Sequence, residues 1–290
     1  MAIAPTVRRR RLGIELNRLR ERLGPTVEEV AARLDWSPSK LSRIENARIG
    51  VRVSDVRLLL ELYKVDEAHL GEVLALAQAA MQPGWWANYR DILPGNFGTY
   101  VALEDEALLA LTFTAYAVPG LLQCEEYAHR VLESGRVIAI STPREVARRL
   151  ELRMRRQELL HREKPLTLSA VIDESVLLRM VGDPDVMRQQ MRTLLDFAVL
   201  PNVQIYILPL KVHREPILSE TFTLLKFEPA YRVPFPDIVY IDNVSTMADL
   251  QDDEVTHTYR MCWESLKSIS LTADESMVHI SRMADEWGRR

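Results

Sequence analysis

The sequence has little of what marks a protein for export or for a membrane. Its two cysteines, Cys124 and Cys262, stand in no spacing motif. That excludes a disulfide-stapled secreted framework and suits a reducing cytoplasm, where both thiols read as small core fillers. No window approaches eighteen uninterrupted apolar residues, so no transmembrane helix is expected. The opening MAIAPTVRRRRLGIELNRLRERL carries a charged run with no long apolar segment behind it, unlike a signal peptide. Catalytic signatures are missing too: there is no HExxH, no GxSxG, no Walker-type glycine loop and no Rossmann fingerprint. The carboxylate pairs Asp173–Glu174 and Glu104–Asp105 are adjacent residues, which usually face apart, and read as surface or cap groups. His69, His129, His161, His213, His257 and His279 show no ligand spacing. The chain is therefore expected to hold no metal or cofactor and to be no enzyme.

What is present is an uneven distribution of charge over 290 residues, enough for two domains. The formal net charge is -4, yet residues 1–80 hold 14 Lys/Arg against 11 Asp/Glu and the rest hold 23 against 30. The first 24 residues alone carry seven Arg and two Glu. This asymmetry points to a polyanion-binding head on an acidic body.

The head reads as five short helices. Leu12, Leu16, Leu19 and Leu23 make one apolar stripe that Gly24–Pro25 ends. Thr26 caps a second helix, and Glu29 completes a capping box. Asp35 and Trp36 turn the chain, Ser37 caps a third helix, and Pro38 sits in its first turn, where a missing N–H costs nothing. Ser54 is expected to cap a fourth helix, and a fifth runs from about Asp66 to Ala80. Two short helices joined by a tight turn make a helix-turn-helix. Ser39, Ser42, Arg43 and Asn46 fall at i, i+3, i+4 and i+7, opposite the inward Leu41 and Ile44. Hydroxyls bond to either groove edge, and Arg can bridge O6 and N7 of guanine. Lys40, to the side, suits a phosphate, while Glu45 is expected to bond inside the domain. On periodicity alone the third helix could equally be an ordinary solvated helix.

The segment TVEEVAARLDWSPSKLSRIENA resembles the helix-turn-helix of the xenobiotic-response-element family, to which the phage lambda and 434 repressors belong. Thr26, Ala31, Ser37, Ser42, Ile44 and Glu45 match its pattern. Where the family has glutamines this chain has Val27 and Pro38, and where it has glycines it has Asp35 and Ala47. The resemblance implies an all-α lambda repressor-like head that binds double-stranded DNA in the major groove. With Pro38 in place of the usual reader, base reading falls to Ser39 and Arg43. The residues expected at DNA are Ser37, Ser39, Lys40, Ser42, Arg43, Asn46 and Arg48, flanked by Arg10 and Thr26.

Pro83–Gly84 reads as a join, placing the domains at 8–80 and 85–287. Leu103, Ala107, Leu108 and Leu111 suggest a helix, and residues 143–161 a long basic one whose arginines, including Arg153, Arg155 and Arg156, are expected in ion pairs. Leu166–Ile172, Val203–Leu208, Phe222–Phe227 and Ile238–Ile241 read as strands among further helices, so the body is α+β. Trp85, Trp86 and Tyr89 form a candidate effector or partner site, although two tryptophans at a seam more often pack; His213, near Glu215 and Glu220, is the other candidate.

The run WWANYRD, TYVALEDEA, VPGLLQCEEYA, RRQELL, VIDESVLLRMVGDPDVMRQQM, LPNVQIYILP and IVYIDN is similar in order to the C-terminal domain of a large actinobacterial group of these regulators, a domain with no assigned activity. Cys124 stands where that group usually has Thr. Members include proteins encoded beside a small acidic partner and ones described as antitoxin-like or developmental regulators. The implied protein is a cytoplasmic, homodimeric transcriptional regulator whose body dimerises and senses a small molecule or a partner protein. The alternatives are an antitoxin-like protein that sequesters a small neighbour, and a ligand-binding or enzymatic body localised by a DNA-binding head.

Overall fold

A computed structural model describes residues 5–93, 97–135, 141–211, 220–242, 247–250 and 252–290. The chain divides into two units, Met1–Arg90 with Glu228–Phe235, and Asp91–Phe227 with Pro236–Arg290. The first is all-α: α1 (Val7–Leu23), α2 (Val27–Arg33), α3 (Pro38–Glu45), α4 (Val53–Leu62) and α5 (Glu67–Ala80). Local chemistry sets these limits. Gly24 ends α1 in the left-handed region at φ 89°, Thr26 and Glu29 form the capping box of α2, and Ser37 accepts from the Lys40 N–H at the start of α3. Inward residues from the five helices, among them Leu12, Leu16, Leu41, Ile44, Leu59, Leu60 and Val73, share one core. Two expectations fail here. Leu23 points to solvent in the last turn of α1, and α4 starts at Val53 after Arg52, which leaves Ser54 inside the first turn with no cap to make.

The eight residues Glu228–Phe235, which the sequence reading assigned to the body, belong to this first unit. Val233 is fully buried in its core. Arg11, one of the basic run on α1, is buried. It donates to the carbonyls of Val233 at 2.5 Å and Glu228 at 2.9 Å and lies over the Phe235 ring. Arg232 pairs with Glu72 at 3.0 Å.

The second unit is built on a six-stranded mixed sheet in the order β3-β2-β1-β4-β5-β6. Its strands are β1 (Leu109–Thr114), β2 (Thr167–Asp173), β3 (Val203–Leu208), β4 (Phe222–Lys226), β5 (Ile238–Asp242) and β6 (Met247–Leu250). β1, β2 and β3 are parallel; β4 runs antiparallel to β1, and β5 and β6 continue antiparallel. The helices are α6 (Phe97–Glu106), α7 (Glu125–Ser134), α8 (Pro143–Arg156), α9 (Glu174–Leu178), α10 (Pro184–Ala198), α11 (Asp253–Ser268) and α12 (Ala273–Trp287). This is the expected α+β architecture, with two strands the sequence reading lacked. Leu103, Ala107, Leu108 and Leu111 keep a helical spacing, which carries the expected helix into β1. The chain leaves the helix at Glu106, and Leu109–Thr114 becomes an inner strand between β2 and β4; its Leu-Thr-Phe-Thr alternation is too short to outweigh the helical spacing of the apolar residues before it.

Period-two geometry sorts the side chains of β1. Leu111 and Phe113 pack with Val171, Leu224, Val239 and the α11 residues Trp263 and Leu266, and the Trp263 indole N–H donates to the Thr112 carbonyl at 3.2 Å. Ala110, Thr112 and Thr114 turn to the other face. The amide of Gln190, fully buried on α10, accepts from the Cys124 N–H at 2.9 Å and donates to the Leu122 carbonyl at 2.7 Å. Cys124 is the N-cap of α7, and its side chain makes no cap hydrogen bond. A threonine hydroxyl there would accept an orphan N–H that the thiol satisfies poorly. Cys124→Thr is therefore expected to stabilise the second unit by about 1 kcal/mol in urea unfolding. An unchanged or lowered midpoint would show that the cap position is not limiting.

Candidate nucleic-acid interface

The third helix is held from behind by charge. Glu45, at its last turn, is buried and takes two hydrogen bonds from Arg20 of α1, at 2.8 and 3.0 Å, and one from Asn17 at 3.1 Å. This is the internal role expected for Glu45. The helices also touch through backbone: a Cβ on Gly13 would lie 2.3 Å from the Glu45 carbonyl oxygen, so only glycine permits this approach. Arg9 donates to the Ala47 carbonyl at 3.1 Å and ties the same end. Asp35 and Ala47, the positions where the resembled family has glycine, adopt φ 55° and 54°. Asp tolerates the left-handed region better than most residues, and alanine at 47 costs about 1 kcal/mol.

This clamp leaves one face of α3 to solvent. Ser39, Arg43 and Asn46 are exposed, Ser42 is partly so, and Arg48 follows just beyond. The Arg43 Nε donates to the Ser39 carbonyl at 3.1 Å, and the Asn46 amide to the Ser42 carbonyl at 2.8 Å. Both side chains are laid along the helix, and the Arg43 bond leaves its two Nη groups for other acceptors.

Other expected positions have duties inside the unit. Lys40, placed on a DNA phosphate by the sequence reading, is bound to Asp55 of α4 at 3.0 Å and lies 3.5 Å from the centroid of Trp36. This pair ties α3 to α4. The hydroxyl oxygens of Ser37 and Thr26 each accept one cap hydrogen bond from their own helix. Arg10 is half-buried on α1. Trp86 and Tyr89 are buried, with Trp85 edge-on to both at 6.0 and 6.2 Å. His213 lies outside the described residues. Among the described residues no group of three or more His, Cys, Asp or Glu is arranged to hold a metal ion, and no helix is long and apolar enough to cross a membrane.

With this geometry the comparisons with known proteins become readable. A helix-turn-helix domain model matches residues 11–73, the segment from α1 into α5. A second model, described as a domain of unknown function (DUF5753), matches residues 97–282. The chain belongs to the DUF5753 family. It carries the helix-turn-helix of DNA-binding transcriptional regulators in front of that domain. No curated protein and no solved structure matches it.

What sequence reasoning missed around α3 is the share of arginines turned inward. Arg11 and Arg20 are buried, and Arg18 pairs with Glu15 at 2.7 Å. The basic count of the first helix therefore overstates its outward charge. Glu15 itself is fully buried and also meets the His69 ring at 2.6 Å. Burial pushes its carboxyl up, but hydrogen bonds and charge from Arg18 and His69 outweigh that and hold it below the ordinary glutamate range. A depressed folded value contributes stability that is full above the unfolded pKa and is lost as pH falls through the folded one. The melting temperature of the first unit is expected to hold from pH 7 to about 5 and to drop below about pH 4, with a shallower acid drop in Glu15→Gln. Equal slopes in the two proteins would remove Glu15 from the acid response.

Proposed function

We propose that this DUF5753 protein is a cytoplasmic, sequence-specific transcriptional regulator that lays α3 in the major groove. The observation that carries the reading is the single solvent face of α3, clamped from behind by Arg20 and Glu45. Arg43 reads guanine through its Nη groups, Ser39 and Ser42 meet neighbouring base edges, and Asn46 and Arg48 border the phosphates. The α3 N-terminus behind Ser37 adds oriented N–H groups toward the backbone. One head offers too small an interface for tight specific binding, so the protein acts as a homodimer on a two-fold-symmetric site. The DUF5753 domain supports dimerisation and senses an effector or partner. Regulation is then by occupancy, without chemistry. The antitoxin-like reading shares the same head and rests on the resemblance of the body alone; co-purification of a small acidic partner would favour it.

The test begins with genome-wide recovery of bound DNA to obtain the cognate site. Arg43→Ala is expected to weaken binding to that site by about 1–3 kcal/mol, about 5- to 150-fold, with random DNA nearly unaffected. An equal loss on both would show that Arg43 contacts only the backbone.

A further inference from the structure

The helix-turn-helix unit is completed by a segment from far along the chain. Glu228–Phe235 lies in the connection between β4 and β5 and forms a tight hairpin, closed by hydrogen bonds in both directions between Ala230 and Val233. Its two turn residues, Tyr231 and Arg232, both adopt the left-handed region, at φ 55° and 53°. A two-residue turn of this kind normally takes Asn-Gly, because other side chains are strained there. The surroundings of the hairpin must therefore hold it in shape.

That hold comes from one side of α1. Val233 is fully buried in the core of the first unit, and its carbonyl and that of Glu228 accept from Arg11. At 3.6 residues per turn, Arg9, Gly13 and Arg20 lie within about 40° of one another around α1, and Arg11 lies about 180° from their mean direction. The first three are the residues that meet Ala47 and Glu45 at the end of α3. The hairpin thus braces α1 on one side while α1 holds α3 on the other. A second helix shares the seat: Glu72 of α5 meets Arg232 of the hairpin at 3.0 Å, and His69 of the same helix meets Glu15 of α1 at 2.6 Å. The connections to the sheet are short. Only Phe227 separates β4 from the hairpin, and only Pro236 and Asp237 separate the hairpin from β5. The Lys226 carbonyl accepts from the Leu108 N–H at 2.8 Å and Asp237 pairs with Arg260 of α11 at 2.5 Å, so neither end is slack.

We propose that this hairpin is a strap through which the DUF5753 sheet controls the order of the reading helix. While β4 and β5 keep their register, with Leu225 opposite Ile238, the strap stays seated and α1 holds α3 in one orientation. A change in the sheet that shifts or splays these two strands pulls on the strap, withdraws Val233 and the acceptors of Arg11, and loosens α1 and with it α3. The strained turn favours release once the seat is disturbed. The sign of the coupling follows: what stabilises the pairing of β4 with β5 raises the order of α3, and what loosens that pairing lowers it. The consequence at DNA rests on the reading of α3 proposed above; the coupling itself does not.

The test is hydrogen exchange of the full chain, followed by mass spectrometry in the absence of DNA. Val239 is fully buried on β5, so Val239→Ala opens a cavity in the core of the second unit. It is expected to speed exchange of the α1 and α3 amides by about fivefold or more, together with those of β4 and β5. Gly-Ser-Gly inserted after both Phe227 and Phe235 gives the strap slack and keeps its own residues. In that chain Val239→Ala should still loosen β4 and β5 but change α1 and α3 by less than about twofold. Should Val239→Ala misfold, as judged by its far-UV spectrum, the milder Ile241→Val on the same strand takes its place. Unchanged α1 and α3 exchange in the native-length variant, or an acceleration that is as large in the lengthened chain, would each overturn the strap. Because no DNA is present, failure here leaves the reading helix standing, and failure of the Arg43 test leaves the strap standing.

Discussion

The Arg20–Glu45 pair sets what the first unit can present. A carboxylate and a guanidinium are both taken out of water where α1 crosses the end of α3, and the cost of that desolvation is offset only by the bidentate geometry and the added bond from Asn17. Losing either partner would leave an uncompensated buried charge, a defect of about 3–5 kcal/mol. Together with the backbone approach at Gly13, the pair fixes the rotation of α3 about its own axis, because any other rotation would pull Glu45 off Arg20. The face carrying Ser39, Arg43 and Asn46 is therefore presented in one orientation before any ligand arrives. Reading bases to within a fraction of an ångström requires such preorganisation.

The second unit repeats the device in a different place. Arg156 and Glu104 are both nearly inaccessible, and the Tyr100 hydroxyl donates to Glu104 at 2.7 Å. Burial raises the Tyr100 pKa well above its ordinary value, with the Glu104 charge adding to it, so its proton stays in place. Burial opposes the charge on Arg156, yet Glu104 more than compensates and keeps the guanidinium protonated. In the first unit the buried pair holds α3, and the remaining Arg20 nitrogen donates to the Pro25 carbonyl. In the second it ties α6 to α8.

Short-range chemistry was readable in the sequence. The capping box at Thr26–Glu29, the Ser37 cap with Pro38, and the apolar stripes through Leu12, Leu16, Leu41 and Ile44 each depend on residues within a turn or two of one another. So did the exposure of Ser39, Arg43 and Asn46, which follows from helical spacing alone. What depended on distant partners was not readable. Lys40 pairs with Asp55 on the next helix, and Arg11 with carbonyls of Val233 and Glu228 more than two hundred residues on, contacts that no local pattern signals. The strand β1 hid for another reason: Leu111–Thr114 alternates over only four residues, and the helical spacing of Leu103, Ala107, Leu108 and Leu111 runs straight into it. One signal was available for Arg156: it falls on the same stripe of α8 as the buried Val146 and Leu152, where a solvated arginine does not belong.

The account stands or falls on which groove α3 enters. Dimethyl sulfate interference on the recovered binding site separates the alternatives, since guanine N7 lies in the major groove and adenine N3 in the minor. The account predicts that methylated guanines at N7 in each half of the site block binding, and that the half-sites are one helical turn apart, about 10 base pairs. Interference confined to adenine N3, or absent from every guanine, would contradict it.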